Sequence, residues 1–341
     1  MKVAILADNT TMQSEASLLA QALQNAEHQV ELLDVDKQVV AQLQAKRPEI
    51  CCIASGTKGS EGALQELLEL LQIPYLGSQS EACRLSSDAQ LSMFAMRRYA
   101  EASEEDVIAE PLVNFSLSSD LLTTNAEALA DMCEARIPGG YPIEIKPLRS
   151  AGFSQREGEL SERASQDDSD SGVPQVAFAG PGNSTSLLVN NKEELLAAFK
   201  TYESVGCTVY QWIEGLRLSV AVLGTGWDAH VLPPVEEVIA PKDSAEGASA
   251  ELIAPVRLES LSSDESIAQA IRSEIERTAF EACLSLGMRD FALVRVIWDG
   301  AQVRFVGIEA LPSMAANSAF SKACEAAGLS VAGVLNHLVS L

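Results

Sequence analysis

The chain has 341 residues, 47% of them hydrophobic and 21% charged, which is enough for a core divided over two or three domains. It has 24 Lys and Arg and 48 Asp and Glu, so the formal net charge is −24. The electric field of such a negative charge repels nucleic acid and anionic lipid. The sequence has no run of about 18 apolar residues, so it predicts no membrane span. We therefore expect neither nucleic acid nor a membrane as a partner.

The cysteines and the N-terminus indicate a cellular compartment. Seven cysteines are scattered without metal-ligand spacing, which is typical of reduced, structural thiols. The apolar run at residues 1–6 is too short for a signal peptide and instead predicts a first strand. We therefore expect a cytoplasmic protein.

The first 80 residues alternate strand-like and helix-like patterns. Strands are predicted at 3–7, 30–33 and 49–54, and helices at 14–26 and 62–71. Strands separated by helices of this length are typical of a parallel sheet with crossover connections. The pattern therefore predicts an N-terminal α/β domain.

The rest of the chain mixes both patterns in an α+β manner. Residues 81–134 read as mostly helical with a break near Pro111, and about 150–182 read as a polar insertion or long loop. Strands are predicted at 141–147, 185–189, 208–212, 216–223, 292–298 and 303–308, and helices at 193–202, 266–286 and 332–341.

Six segments, in order along the chain, are similar to motifs of D-alanine–D-alanine ligases. Each is weak alone, and their common order is the specific signal. They are S-E-A-S-L at 14–18, G-S-E-G-A-L-Q at 59–65, I-P-Y-L-G-S at 73–78, P-I-E-I-K-P at 142–147, Q-W-I-E-G at 211–215 and I-E-A-L-P-S-M at 308–314.

This resemblance implies an ATP-grasp fold in three parts. They are an N-terminal α/β, substrate-binding domain at 1–80, a helical segment with a central ATP-grasp subdomain at 81–205, and a C-terminal ATP-grasp subdomain at 206–341. It also implies ATP and Mg²⁺ as cofactors, D-alanine or a similar small molecule as partner, a homodimer formed through the N-terminal domain, and a role in peptidoglycan precursor synthesis.

Most residues that the family uses for its substrates have counterparts here. Glu15 matches the acid that holds the ammonium group of the first D-alanine. Alternatively, it stabilises the first turn of its helix by interacting with the helix dipole. Arg295 matches the arginine that stabilises the tetrahedral intermediate, with a structural ion pair to Glu309 as the alternative. Ser318 matches the serine that binds the second carboxylate. The family's histidine position is Ser55.

The nucleotide side is less complete. Lys146 matches one of the two phosphate-binding lysines, and Trp212 and Ile213 match the aromatic–aliphatic pair beside the adenine, or alternatively form a hinge core. The second phosphate lysine corresponds to Ala89, and the acid that holds the ribose corresponds to Arg217. The resemblance thus predicts weakened nucleotide contacts.

The metal ligands are the most depleted. The family places an Asp two positions after the arginine and an E-x-N pair on the next strand, and here these positions read Ile297, Glu309 and Leu311. Magnesium prefers about six oxygen ligands, so Glu309 alone supplies too few of them. Asp299 follows Ile297 by two positions and is a candidate substitute ligand.

Three functions stay open on the sequence alone. The first is a D-alanine–D-alanine ligase-like protein with reduced or lost catalysis. The second is a non-catalytic pseudoenzyme that binds or regulates cell-wall enzymes. The third is an ATP-grasp ligase with a rebuilt metal site and a different amino acid as substrate.

Overall fold

The computed structural model describes residues 1–7, 13–54, 59–103, 113–147, 175–176, 186–239 and 251–341. The chain forms two compact units. The first comprises Met1–Glu110, Gly215–Val238 and Leu252–Leu341, and the second comprises Pro111–Glu214 and Ile239–Glu251. The three-part division with boundaries at 80 and 205 stays a prediction.

The first unit begins with a parallel sheet, as the alternating pattern predicts. The strands lie in the order β2-β1-β3, and both pairings with β1 are parallel. The elements are β1 (Lys2–Ala7), α1 (Gln13–Asn25), β2 (Gln29–Asp34), α2 (Val39–Lys46), β3 (Ile50–Ile53) and α3 (Ala63–Leu70). The α/β character of the N-terminal region is therefore confirmed.

Within the described residues, six more helices and a second sheet complete the first unit. This sheet has the order β12-β11-β9-β13-β14, with the short β10 also paired to β9. The remaining elements of the first unit are α4 (Ser80–Ser87), α5 (Ala89–Ser103), β9 (Leu216–Leu223), β10 (His230–Val231), β11 (Val235–Ile239), β12 (Glu251–Pro255), α8 (Leu258–Leu261), α9 (Glu265–Leu286), β13 (Phe291–Trp298), β14 (Val303–Glu309), α10 (Ala319–Ala326) and α11 (Val331–Val339).

Helix α9 is the main helix on this sheet, and its ends are set by local chemistry. The Asp264 side chain accepts the backbone N–H groups of Ser266 and Ile267, and Gly287 ends the helix at φ 66°. The buried face of the helix joins a core with alternate residues of β9 and β13. The opposite face of β9 and β13 is thereby left to other side chains, including those of the candidate site.

The second unit is built on an antiparallel sheet with the order β4-β8-β5-β7-β6. Two helices share a core with this sheet, in which Ile143, Ile145, Phe199 and Val209 are buried. The elements are β4 (Asn114–Leu117), α6 (Ser119–Arg136), β5 (Ile143–Pro147), β6 (Gln175–Val176), β7 (Ser186–Val189), α7 (Lys192–Tyr202) and β8 (Cys207–Gln211).

Where the structure describes them, residues 81–134 are mostly helical, as predicted, and they also contain one short strand. Residues Asn114–Leu117 form β4 because each pairs with a residue of β8, from Cys207 to Tyr210. Most of the predicted insertion at about 150–182 lies outside the described residues, and only 175–176 within it are described.

All seven cysteines are free and buried. Burial raises the pKa of both Cys51 and Cys52 to about 12, so neither thiol is ionised near neutral pH. Among the described helices, none is long and apolar enough to cross a bilayer.

Candidate functional site

Lys146 lies one residue before the end of β5 in the second unit. Its Nζ lies 3.3 Å from Oε1 of Glu144 and 4.7 Å from the ring centroid of Tyr210. Lys146 and Glu144 are two positions apart on one strand, and Tyr210 is the partner of Glu144 on β8, so the three side chains share a face. Lys146, which is predicted to bind a phosphate, therefore already lies next to the buried carboxylate of Glu144.

The predicted adenine pair directly follows β8. Trp212 and Ile213 are both half-buried at the end of the second unit, and the chain enters the first unit at Gly215. Gln211, the residue before this pair, accepts the Val113 N–H at 3.4 Å through its side chain. The hinge segment therefore keeps its aromatic–aliphatic pair, and the preceding side chain supports the backbone of the second unit.

Glu15 is buried in the first turn of α1, with 7% of its surface exposed. Its carboxylate accepts the backbone N–H of Met314 and, at 3.2 Å, the hydroxyl of Ser313. Burial raises the pKa of Glu15, and the two hydrogen bonds partly offset that rise. The residue predicted to hold a substrate ammonium therefore also fixes the segment after β14.

Arg295 lies on β13 between two carboxylates. Its Nε donates to Oε1 of Glu309 at 2.7 Å, and its Nη1 lies 3.2 Å from Oε2 of Glu237. The other oxygen of Glu237 accepts the hydroxyl of Ser219. The ion pair with Glu309 that the sequence suggested is present, and Glu237 is an additional partner. We call Ser219, Glu237, Arg295 and Glu309 the Arg295 cluster.

The predicted Asp position of the metal site is apolar and flanked by cations. Ile297 is 1% exposed, and its register partners are Arg217 on β9 and Arg304 on β14. Directly opposite residues on neighbouring strands project to the same face, so both arginines stand beside Ile297. A divalent cation therefore gains no oxygen ligand from the side chain at this position.

The second metal strand is altered as well. Leu311 stands in the Asn position of the family's E-x-N pair, and Glu309, which matches the acid of that pair, is bonded to Arg295 at 2.7 Å. Within the described part of the chain, no group of three His, Cys, Asp or Glu side chains is placed to hold a metal ion. The donor set therefore does not fit magnesium.

Asp299 does not converge on Glu309. Glu309 pairs with Leu293, whereas Asp299 follows Trp298 at the opposite end of β13. Six residues of strand separate the two positions, which is about 20 Å at a rise of about 3.3 Å per residue. Asp299 instead accepts the N–H groups of Ala301 and Gln302 and pairs with Arg304 at 3.1 Å. The register thus argues against Asp299 as a substitute ligand beside Glu309.

Ser318 caps α10. Its side-chain oxygen accepts the Ser321 N–H at 3.1 Å, a usual role for serine at a helix start. Its predicted contact with a substrate carboxylate is neither required nor prevented by this bond. Ala89 begins α5, and Ser55 lies outside the described residues.

The I-P-Y-L-G-S motif of the first unit is hydrogen-bonded to the residues just before β13. Asp290 accepts the Gly77 N–H at 2.8 Å, and Arg289 donates to the Gly77 carbonyl at 2.9 Å. Ser78 accepts the Arg289 N–H at 3.0 Å. The I-P-Y-L-G-S motif is therefore a structural element that docks on the loop before β13.

Sequence reasoning missed Glu237 and Ser219. Glu237 lies in the run Val235–Ile239, where two acids interrupt an apolar strand, and a buried acid in such a run requires a partner. That signal was present in the sequence. The identity of the partner was not, because Arg295 is 58 residues away in the chain.

Comparison with known proteins gives one consistent family. Residues 178–340 match the family model described as the D-ala D-ala ligase C-terminus. The D-alanine–D-alanine ligase of Desulforudis audaxviator is 25% identical over 100% of this chain and 98% of its own length. That of Halalkalibacterium halodurans is 26% identical over 100% and 99%.

Solved structures agree in fold. The D-alanine–D-alanine ligase of Bacillus anthracis complexed with ATP superposes with a TM-score of 0.70 at 17% identity, covering 100% of this chain and 96% of that one. The D-Ala:D-Ser ligase VanG of Enterococcus faecalis superposes with a TM-score of 0.68 at 16% identity, covering 100% and 98%. The predicted ATP-grasp fold with an N-terminal parallel α/β region is confirmed.

Proposed function

We propose that this chain is a D-alanine–D-alanine ligase-like protein in which ATP-dependent ligation is reduced or lost, a proposal supported by the family match over residues 178–340 and by the full-length relatives of that name. The family's reaction joins a carboxylate to an amine at the expense of ATP, with Mg²⁺ on the phosphates. Such a reaction depends on cations and metal ions placed before the transition state forms.

The metal position carries this proposal. Ile297 supplies no oxygen ligand, is buried, and lies between Arg217 and Arg304 in the sheet register. Magnesium binds with near-octahedral oxygen geometry, and a buried isoleucine places apolar surface where an oxygen ligand is required. These residues therefore give a magnesium-assisted ligation step no support.

The nucleotide contacts support the same conclusion. Lys146 has Glu144 at 3.3 Å, so the net charge offered to a triphosphate at this point is close to zero. Arg217 stands where the family acid holds the ribose hydroxyls, and an arginine cannot accept their hydrogen bonds. Each lost charge-assisted contact typically costs about 10²–10³ in rate, so several together leave little turnover.

A binding role is what the remaining residues support. Glu15 and Ser318 keep side chains of the kind that recognise an ammonium and a carboxylate, and both lie in the first unit. D-alanine or a similar small amino acid is therefore the proposed ligand. In this proposal, ligand binding in the absence of turnover makes the chain a pseudoenzyme that acts on, or with, cell-wall enzymes.

The test is D-alanine-dependent release of phosphate from ATP and Mg²⁺. The protein is assayed beside an ordinary D-alanine–D-alanine ligase as positive control and beside its own Lys146→Ala variant as background. We expect the wild type to match the variant while the control ligase turns over. D-alanine-dependent release well above the Lys146→Ala background would overturn the proposal.

A further inference from the structure

The Arg295 cluster brings charged side chains of three strands to one place. Arg295 of β13 is paired with Glu309 of β14 at 2.7 Å and with Glu237 of β11 at 3.2 Å. Ser219 of β9, the register partner of Arg295, donates to Glu237. The side chain of Glu237 is 6% exposed and that of Glu309 is 11% exposed. Two carboxylates thus share one guanidinium away from bulk water.

The strand register makes this arrangement specific. Arg295 pairs with Gly307, whose lack of a side chain leaves room on β14, and Glu309 follows two positions later on the same face. Ser219 pairs with both Arg295 and Val235, and Glu237 follows Val235 by two positions. Alternation along each strand therefore directs all four side chains of the cluster to one face of the sheet.

The charge balance explains why the guanidinium is needed. Two nearly buried carboxylates near one another repel unless a cation lies between them. In many enzymes a divalent metal ion plays that part, but the neighbouring position here is Ile297 rather than an oxygen ligand. The planar guanidinium has several N–H donors in fixed directions and stays protonated, so it can satisfy two carboxylates at once.

We propose that Arg295 is the fixed internal cation of this site, holding Glu237 and Glu309 together as a metal ion would and making the site metal-independent. Arg295 is then a positioning residue, fixed by its own chain rather than reserved for a reacting group. The proposal deepens the proposed loss of ligation, on which it rests for the premise that no metal ion occupies the Ile297 position.

The test removes the cation and offers a metal in its place. In an Arg295→Met variant of the full chain the two carboxylates lose the cation that they share, and we expect Tm to fall by about 5–10 °C. Mg²⁺ or Mn²⁺ at about 10 mM, above the roughly 10⁻³ M dissociation constant of weak carboxylate sites, should recover several degrees of that loss. The wild type should show no such rise.

Arg304→Met is the matched control. Arg304 lies on the same hairpin with 19% of its side chain exposed, against 21% for Arg295, but it pairs with Asp299 and not with the two carboxylates of the Arg295 cluster. Its loss should lower Tm less and produce no metal response. Should Arg295→Met fail to fold, the neutralised triple variant Glu237→Gln, Arg295→Met, Glu309→Gln is expected to fold, because it no longer buries unpaired carboxylates.

The outcomes separate this proposal from the proposed function. An Arg295→Met variant with unchanged Tm, a variant with lowered Tm but no metal response, or a wild type equally stabilised by Mg²⁺ would each overturn the internal-cation role. Failure of the triple variant to recover stability would do the same. None of these readouts uses phosphate release, so either proposal can fail alone.

Discussion

The carboxylate of Glu15 accepts the backbone N–H of Met314, which joins the start of α1 to a segment 299 residues later. Both residues are buried, and the Ser313 hydroxyl donates to the same carboxylate at 3.2 Å. The bond fixes the chain between β14 and α10, close in sequence to Ser318. A residue predicted for substrate binding therefore also determines the shape of the loop beside it.

Replacing Glu15 by alanine should destabilise the first unit. The variant leaves the buried Met314 N–H without this acceptor, which typically costs about 1–3 kcal/mol of unfolding free energy. Glu49 is the matched control, because its carboxylate accepts the Lys2 N–H at an exposed position, so Glu49→Ala should cost less than about 0.5 kcal/mol. Urea unfolding measures both, and equal losses would contradict the prediction.

The raised pKa of Glu15 predicts a pH dependence of stability. Its folded pKa lies above that of an unfolded glutamate, so between the two values the folded state binds the extra proton. The stability from this group is complete below the unfolded pKa of about 4.3 and is lost as pH rises through the folded pKa. Glu15→Gln should remove that decline. Parallel stability profiles of wild type and variant from pH 4 upward would contradict it.

Gly215 should tolerate no side chain. A Cβ on this residue would lie 2.3 Å from the Trp298 carbonyl oxygen and 2.9 Å from Cγ2 of Ile297. Backbone must move to relieve the first clash, so Gly215→Ala should cost about 2 kcal/mol or more of unfolding free energy. Gly300→Ala is the control, since Gly300 has φ 91° but no atom within 4 Å of its Cβ position. It should cost about 1 kcal/mol from backbone strain alone.

Glu144 should limit nucleotide affinity. Replacing it by glutamine keeps its size and removes the negative charge 3.3 Å from Lys146. We expect binding of a non-hydrolysable ATP analogue to tighten about three- to tenfold, a screened fraction of the direct Coulomb energy. Calorimetry measures the affinity, and the double variant Glu144→Gln, Lys146→Ala should lose the gain. An affinity equal to that of the wild type would count against the prediction.

Asp299 should contribute to stability and not to metal binding. It accepts two backbone N–H groups of the turn between β13 and β14 and pairs with Arg304, and these contacts hold its pKa below the usual value despite partial burial. Asp299→Ala should cost about 1–2 kcal/mol. That stability contribution is present above the unfolded pKa and is lost as pH falls through the folded one. A Mg²⁺-dependent Tm rise present in wild type and absent in Asp299→Ala would contradict this role.

Local pattern was enough to predict most elements. The strands now seen at Ile143–Pro147 and Leu216–Leu223 and the helix at Glu265–Leu286 have long periodic patterns with clear ends. The short β4 was missed because four residues carry little periodicity, and its pairing with β8 forms it. Helix α2 was also missed, because its eight residues, Val39–Lys46, give barely two turns of pattern.

The chemistry of the site was less predictable. Motif positions pointed to Arg295 and Glu309, and the two do meet. The contact of Glu237 with Arg295 depends on which strands become neighbours, and that of Met314 with Glu15 depends on how α1 packs against the segment after β14. These contacts join residues that are 58 and 299 positions apart in the sequence, and no local pattern predicts contacts over such separations.

Because every cysteine is buried, the reactivity of each thiol can report the unfolding of the core around it. Cys133 and Cys207 lie in the core of the second unit, whereas Cys51, Cys83 and Cys324 lie in the first. A thiol reagent reaches each only after the surrounding core opens. Peptide-resolved labelling rates would therefore time the opening of the two units separately in the unmodified protein, without an engineered probe.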